Sequence, residues 1–157
     1  MNRVVVFAAG NDARGDDAIG PVLLDWIEAQ AWAHVRTVFD FQFQVEHALD
    51  LDGADLALFI DAHVAQAAPV CLEEIKLFEP TAAGTHALSP AQVMGVHARV
   101  CAGHAPPAFV FSVVGTRFEL GEGMSAAARA AVDRAKSCLE RMLSAPDVAV
   151  WREGARD

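Results

Sequence analysis

Basic side chains are scarce in this sequence: Lys and Arg number 12 against 21 Asp and Glu, for a formal net charge of −9. Binding along a phosphate backbone needs Lys and Arg to displace counterions, so the shortage argues against a nucleic-acid partner. Acids gathered in one place favour a bound cation or a basic protein surface instead. Cysteine is equally sparse. Cys71, Cys101 and Cys138 are odd in number, far apart and outside any Cys-x-x-Cys pair, which speaks against a disulfide framework or a thiolate zinc site and leaves reduced structural thiols. No apolar run approaches the roughly 18 residues of a membrane span, so no membrane association is expected. The first apolar run is brief and is broken at Asn11 and Asp12, unlike a signal-peptide core, so the expected compartment is the cytoplasm. Also missing are a G-x-G-x-x-G fingerprint, a Gly-Lys-Ser/Thr P-loop, a Gly-x-Ser-x-Gly elbow and a Cys in a plausible nucleophile context. Dinucleotide binding, P-loop phosphoryl transfer and Ser- or Cys-based hydrolysis therefore have little support.

What is present is an apolar chain of 157 residues, 54% hydrophobic, with a mean hydropathy of +0.26. That suits one domain over residues 1–157 with its own core. Val4 to Ala8, Val35 to Phe39, Ala54 to Ile60 and Ala108 to Val114 are short apolar runs without strict alternation, the pattern of strands covered on both faces. Val70 to Phe78 alternates, with Val70, Leu72, Ile75 and Leu77 apolar among Glu73, Glu74 and Lys76, and reads as a half-exposed edge or antiparallel strand. Helical spacing runs from Ala18 to Trp32, with Asp16 or Asp17 able to cap its start. A short helix is expected at Val45 to Leu51, with Ala48, Leu49 and Leu51 inward. Ser89-Pro90 opens another helix reaching about Cys101, and Ser125 opens a last one to about Leu143. Residues 146–157 read as a loosely attached tail. Strands alternating with helices imply right-handed crossovers, hence a three-layer α/β/α sandwich around a mostly parallel, twisted sheet of about five strands.

In such a sheet, function collects beyond the strand C-terminal ends. The first strand leads into Gly10-Asn11-Asp12-Ala13-Arg14-Gly15-Asp16-Asp17-Ala18-Ile19-Gly20. Two acids at a helix entrance would repel a pyrophosphate; they are either a double cap, or one cap and one ligand aimed at the cleft. The third strand delivers Asp61, and the loop after the fourth carries His86. Two carboxylates and an imidazole from three connections would converge on one crevice, a donor set that suits a divalent first-row metal. His63 reads as exposed or supporting, and Gln44, Glu46 and His47 as either crevice-lining or an ordinary helix start.

These residues carry a resemblance. Gly10-Asn11-x-x-Arg14-Gly15-Asp16-Asp17-x-x-Gly20, the strand ending in Asp61, His86-Ala87-Leu88-Ser89-Pro90 and Gly121-Glu122-Gly123-Met124-Ser125 resemble the hydrogenase maturation proteases, over nearly the whole chain from Val4 to about Leu143. Phe41 to Leu51 looks most like the branch that matures soluble, NAD-linked hydrogenases. The chain departs from the family pattern at Ala8, where a Gly is usual, and at Ala91, where one branch places its His; His86 resembles the His of the branch with a His-Ala-x-x-Pro segment.

The resemblance implies an aspartyl-type endopeptidase that cuts once, near the C-terminus of the nickel-loaded large-subunit precursor of a nickel-iron hydrogenase. Carried over by position, Asp17, Asp61 and His86 become the metal-contacting set, with Asp17 and Asp61 catalytic. Asn11, Arg14 and Asp16 would organise the loop or hold the substrate tail. No permanent cofactor is expected; the metal engaged would be the nickel already in the substrate. The expected partner is the precursor, met by a monomer. Two rival readings are a non-catalytic, nickel-recognising accessory module for hydrogenase assembly and a small α/β hydrolase of unrelated substrate.

Overall fold

The computed structural model describes residues 1–63, 68–81, 87–101, 103–116, 118, 120–121 and 123–156. Five strands, β1 (Val4–Ala9), β2 (Val35–Asp40), β3 (Leu56–His63), β4 (Val70–Glu74) and β5 (Ala108–Val114), form one sheet in the order β2-β1-β3-β5-β4. All neighbours are parallel except β4, which runs antiparallel to β5 at the edge. Four helices, α1 (Ile19–Ala29), α2 (Pro90–Val100), α3 (Ala126–Ser144) and α4 (Val148–Arg156), and two 3-10 segments, Gly15–Ala18 and Val45–Leu51, complete the described elements.

The period of two along each strand sorts the core into two layers. Val4, Val6, Leu56, Leu58, Ile60, Phe109 and Phe111 pack against α1, α3 and α4. Val5, Phe7, Ala57, Phe59 and Ala108 face α2 and the Val45–Leu51 segment, where Phe7 stacks on Phe59 at 4.6 Å between centroids. Strands buried on both faces must read as continuous apolar runs, and these do. The architecture is thus a three-layer α/β/α sandwich on a mostly parallel sheet.

Local chemistry sets the element ends. Ser89 caps α2 in a reciprocal box with Gln92: its hydroxyl accepts from the Gln92 N–H at 3.1 Å, while its own N–H donates to Oε1 of Gln92 at 2.9 Å. Neither Asp16 nor Asp17 caps α1, whose start carries no side-chain cap. A 3-10 turn intervenes and turns both acids elsewhere. Asp16, fully buried, accepts from the Thr116 N–H at 2.6 Å, the Ser125 N–H at 2.7 Å and the Ser125 hydroxyl at 2.8 Å. Ser125 in turn caps α3 by accepting from the Ala128 N–H at 3.1 Å. One carboxylate therefore joins the loop after β1, the loop after β5 and the start of α3.

Three expectations are corrected. β3 does not end at Asp61 but continues to His63, because β5 keeps pairing with it as far as Val114. β4 stops at Glu74 rather than Phe78. Its partner β5 begins at Ala108, which accepts the Ile75 N–H at 2.8 Å, so nothing remains for Leu77, left 83% exposed. The residues from Pro146 are not a loosely attached tail: α4 buries Trp151, whose ring stands edge-on to Phe109 at 5.4 Å and whose N–H donates to the Met142 carbonyl at 3.2 Å. Arg152 adds a forked pair with Glu74 at 3.0–3.2 Å.

Trp151→Ala removes a fully buried ring and should cost about 4 kcal/mol in urea unfolding; a loss under about 1 kcal/mol would mean that α4 is not part of the core. Asp16→Ala leaves buried N–H donors without an acceptor and should cost about 3 kcal/mol by the same measurement.

Candidate functional site

The chain leaves β1 through α1 to β2 on one side, then crosses by the Val45–Leu51 segment to β3 on the other. The C-terminal ends of β1 and β3 therefore border the point where the winding reverses, the place where open α/β sheets bind ligands. Asp17 follows β1, and Asp61 lies near the end of β3.

Asp17 is held by its own loop. Asn11 accepts the Ala13 N–H on its side-chain oxygen at 2.9 Å and the Arg14 N–H on its carbonyl at 3.1 Å, closing an Asx-type turn. Its own N–H donates to the Asp17 carboxylate at 2.9 Å. Gly10 allows this closure, because a Cβ there would sit 2.2 Å from the Asp17 carbonyl oxygen. The loop is tied from outside as well: the Gly10 N–H donates to the Asp40 carbonyl at 3.3 Å and the Gly121 N–H to the Ala13 carbonyl at 2.7 Å.

Asp61 shares the face of Phe59 and of His63, two residues on either side. Ser112 stands opposite it on β5, and Cys71 opposite Ser112 on β4. A cleft of about 410 Å³ opens along this row, walled by the Ser89-Pro90-Ala91 entrance of α2 and rimmed by Glu73 and Glu79.

Both carboxyls titrate above the ordinary range. For half-buried Asp17 the main cause is loss of water, opposed by the Asn11 N–H and by the charge of Arg14. For Asp61 the crowding of protein atoms again dominates; the charge of His63 and the Ala62 N–H oppose it, and the charge of Asp17 adds to the rise. Asp61 still reaches water, which limits the effect. Asp61 thus feels the charge of Asp17. Such a pair can accept a cation, which removes their repulsion, or divide acid and base roles by holding a proton on one member.

Of the residues singled out from the sequence, Asp17 and Asp61 are brought together. Asn11 and Arg14 act on Asp17, and Asp16 points away as a structural tie. His86 lies outside the described residues. Among the described residues no group of three or more His, Cys, Asp or Glu gathers as a metal cluster. His63, read from the sequence as exposed or supporting, stands two residues from Asp61 on β3, and its charge acts on the Asp61 carboxyl. Ser112, Glu73 and Glu79 carried no signal in the sequence, since only strand register and the cleft place them there.

No family model matches the sequence, and no curated protein matches it. Solved structures do. The chain is similar to the NiFe hydrogenase maturation protease HycI from Thermococcus kodakarensis (TM-score 0.68, 19% identity, covering 92% of this chain and 94% of that one). It is similar also to the hydrogenase maturating endopeptidase HybD from Escherichia coli (TM-score 0.65, 17% identity, 90% and 92% covered). A third likeness is to the Escherichia coli endopeptidase HycI (TM-score 0.68, 15% identity, 89% and 90% covered). At these identities the likeness establishes that this chain has the fold of those proteins along almost its whole length.

Proposed function

We propose that the protein is an endopeptidase that removes a C-terminal peptide from the nickel-loaded large-subunit precursor of a nickel-iron hydrogenase. The observation that carries this reading is the placing of Asp17 and Asp61 at the switch point of a fold shared with hydrogenase maturation proteases. The opening-motif residues have work that suits it: Gly10 and Asn11 shape the loop that holds Asp17, whose charge reaches Asp61.

In this reading the protein acts in the cytoplasm as a monomer, without a resident metal, and its substrate belongs to the soluble NAD-linked branch. The substrate's nickel is met by Asp17, Asp61 and His86, so that an empty precursor lacks the atom that anchors it. A carboxylate that has given up its proton takes one from water as the water adds to the scissile carbonyl. The C–N bond then breaks, and the proton passes to the departing amine.

Incubating the protein with nickel-loaded precursor should release a C-terminal peptide detectable by mass spectrometry. Asp17→Asn or Asp61→Asn should slow that release by about 100-fold or more while leaving the far-ultraviolet circular dichroism unchanged. A fully active double variant overturns the proposal; stable binding of the precursor with no peptide released points to the accessory module instead.

The raised carboxyls also set a sign for stability. The folded protein holds the Asp61 proton at a pH where the unfolded chain has lost it, so this group favours folding most below about pH 4, and the benefit fades as pH rises through the folded value. Asp61→Asn should therefore melt at a higher temperature than the parent at neutral pH with chelator present. The gain should disappear on acidification to about pH 4. A lower melting temperature at neutral pH would contradict the repulsion and desolvation assigned to Asp61.

A further inference from the structure

Phe39, Phe41, Val45 and Leu49 are 45%, 69%, 55% and 65% exposed, Leu49 against the inward place expected for it beside Ala48 and Leu51, which are buried. They belong to one margin of the molecule: β2 is the terminal strand of the sheet, Phe41 follows it, and Val45 and Leu49 stand on the 3-10 segment that comes next. The Phe39 and Phe41 rings meet edge to face at 6.0 Å between centroids. The segment is anchored from within. Phe43 and His47 are buried between these residues, and the His47 ring accepts the Gln44 N–H at 2.8 Å through Nδ1 and points Nε2 at the Asp40 carboxylate, 3.4 Å away. The exposed side chains are therefore held in water by a fixed backbone, and an apolar surface presented in this way marks an interaction site.

Position and charge say what covers it. The Asp40 carbonyl closes β2 by accepting the Gly10 N–H, so this margin abuts the loop that carries Asp17. Asp40 and Glu46 flank the exposed side chains, and no Lys or Arg occurs from Thr37 to Asp55; Asp50, Asp52 and Asp55 lie toward the other end of β2, beside Arg36 and Arg3. We infer that the β2 margin is the surface on which the large-subunit precursor docks, through an apolar patch bordered by lysine or arginine. This inference rests on the function proposed above and names the contact that holds the substrate while its tail lies at Asp17 and Asp61. Phe41 and Leu49 are the anchors, as exposed large side chains on a preorganised segment bury area at little entropic cost. Glu46 and Asp40 supply the complementary charge.

The test measures binding of purified nickel-loaded precursor to immobilised protein in an Asp61→Asn background, so that the readout does not need cleavage. Phe41→Ser/Leu49→Ser should weaken binding by about 10-fold or more, and Glu46→Lys, a surface change that leaves the apolar anchors intact, by several-fold with a reduced dependence on salt. In the active protein the same changes should raise KM and leave kcat near its starting value. Unchanged binding and KM overturn the docking surface while leaving the protease reading intact. Weakened binding alongside a parent protein that never releases a peptide supports the surface and removes the protease reading. A dimer in sedimentation that the Ser variants dissolve assigns the margin to a second copy of this chain and overturns the inference.

Discussion

The buried carboxylate of Asp16 is the interaction on which the rest of the site depends. A carboxylate taken out of water costs several kcal/mol unless its oxygens are met by donors, and here the donors come from Thr116 and Ser125, about a hundred residues along the chain. Satisfying Asp16 therefore fixes the loop after β1 against the loop after β5 and the start of α3. Gly115 belongs to the same arrangement, because a Cβ there would lie 3.0 Å from the Asp16 side chain. With Asp16 turned inward, its neighbour Asp17 stays half-buried, its carboxylate accepting the Asn11 N–H. Adjacent acids thus take opposite environments, one neutralised by N–H and O–H groups and one kept available.

The second constraint is topological. The chain goes from β1 through α1 on one face to β2, then through Val45–Leu51 on the other face to β3, so β1 and β3 border the point where the winding reverses. Asp17 follows β1 and Asp61 lies near the end of β3; burial raises both carboxyls, and the charge of Asp17 adds to the rise at Asp61. The site is held in an electrostatically unfavourable state by a core that is favourable everywhere else. A cation placed between the two carboxylates would remove that repulsion.

Much of this was legible along the chain. The buried strands declared themselves as apolar runs because parallel strands need no alternation, and Ser89 and Ser125 declared α2 and α3 because a hydroxyl before a helix satisfies its first donors. Other features were not. Asp16 and Asp17 are equally good helix caps on paper, and their real partners, Thr116 and Ser125 for one and Asn11 for the other, separate them only in three dimensions. Leu77 fits the alternation of β4, yet it is exposed because β5 begins too late to pair with it. Trp151 lies in a segment of mixed polarity whose helix is held by contacts with Phe109 and Met142, both remote from any local signal.

What the sequence by itself determined is the alternation of strands and helices, the polar loops at the strand ends and the acids within them, since these follow from side-chain periodicity and backbone preference acting over a few residues. What only the tertiary structure decided is which acid is tied inward, that the charge of Asp17 reaches Asp61, that His63, Ser112 and Glu73 share the Asp61 cleft, and that Phe41 and Leu49 stay in water. Those outcomes depend on strand order and register, which bring together residues more than a hundred positions apart, and distance along the chain carries no record of that.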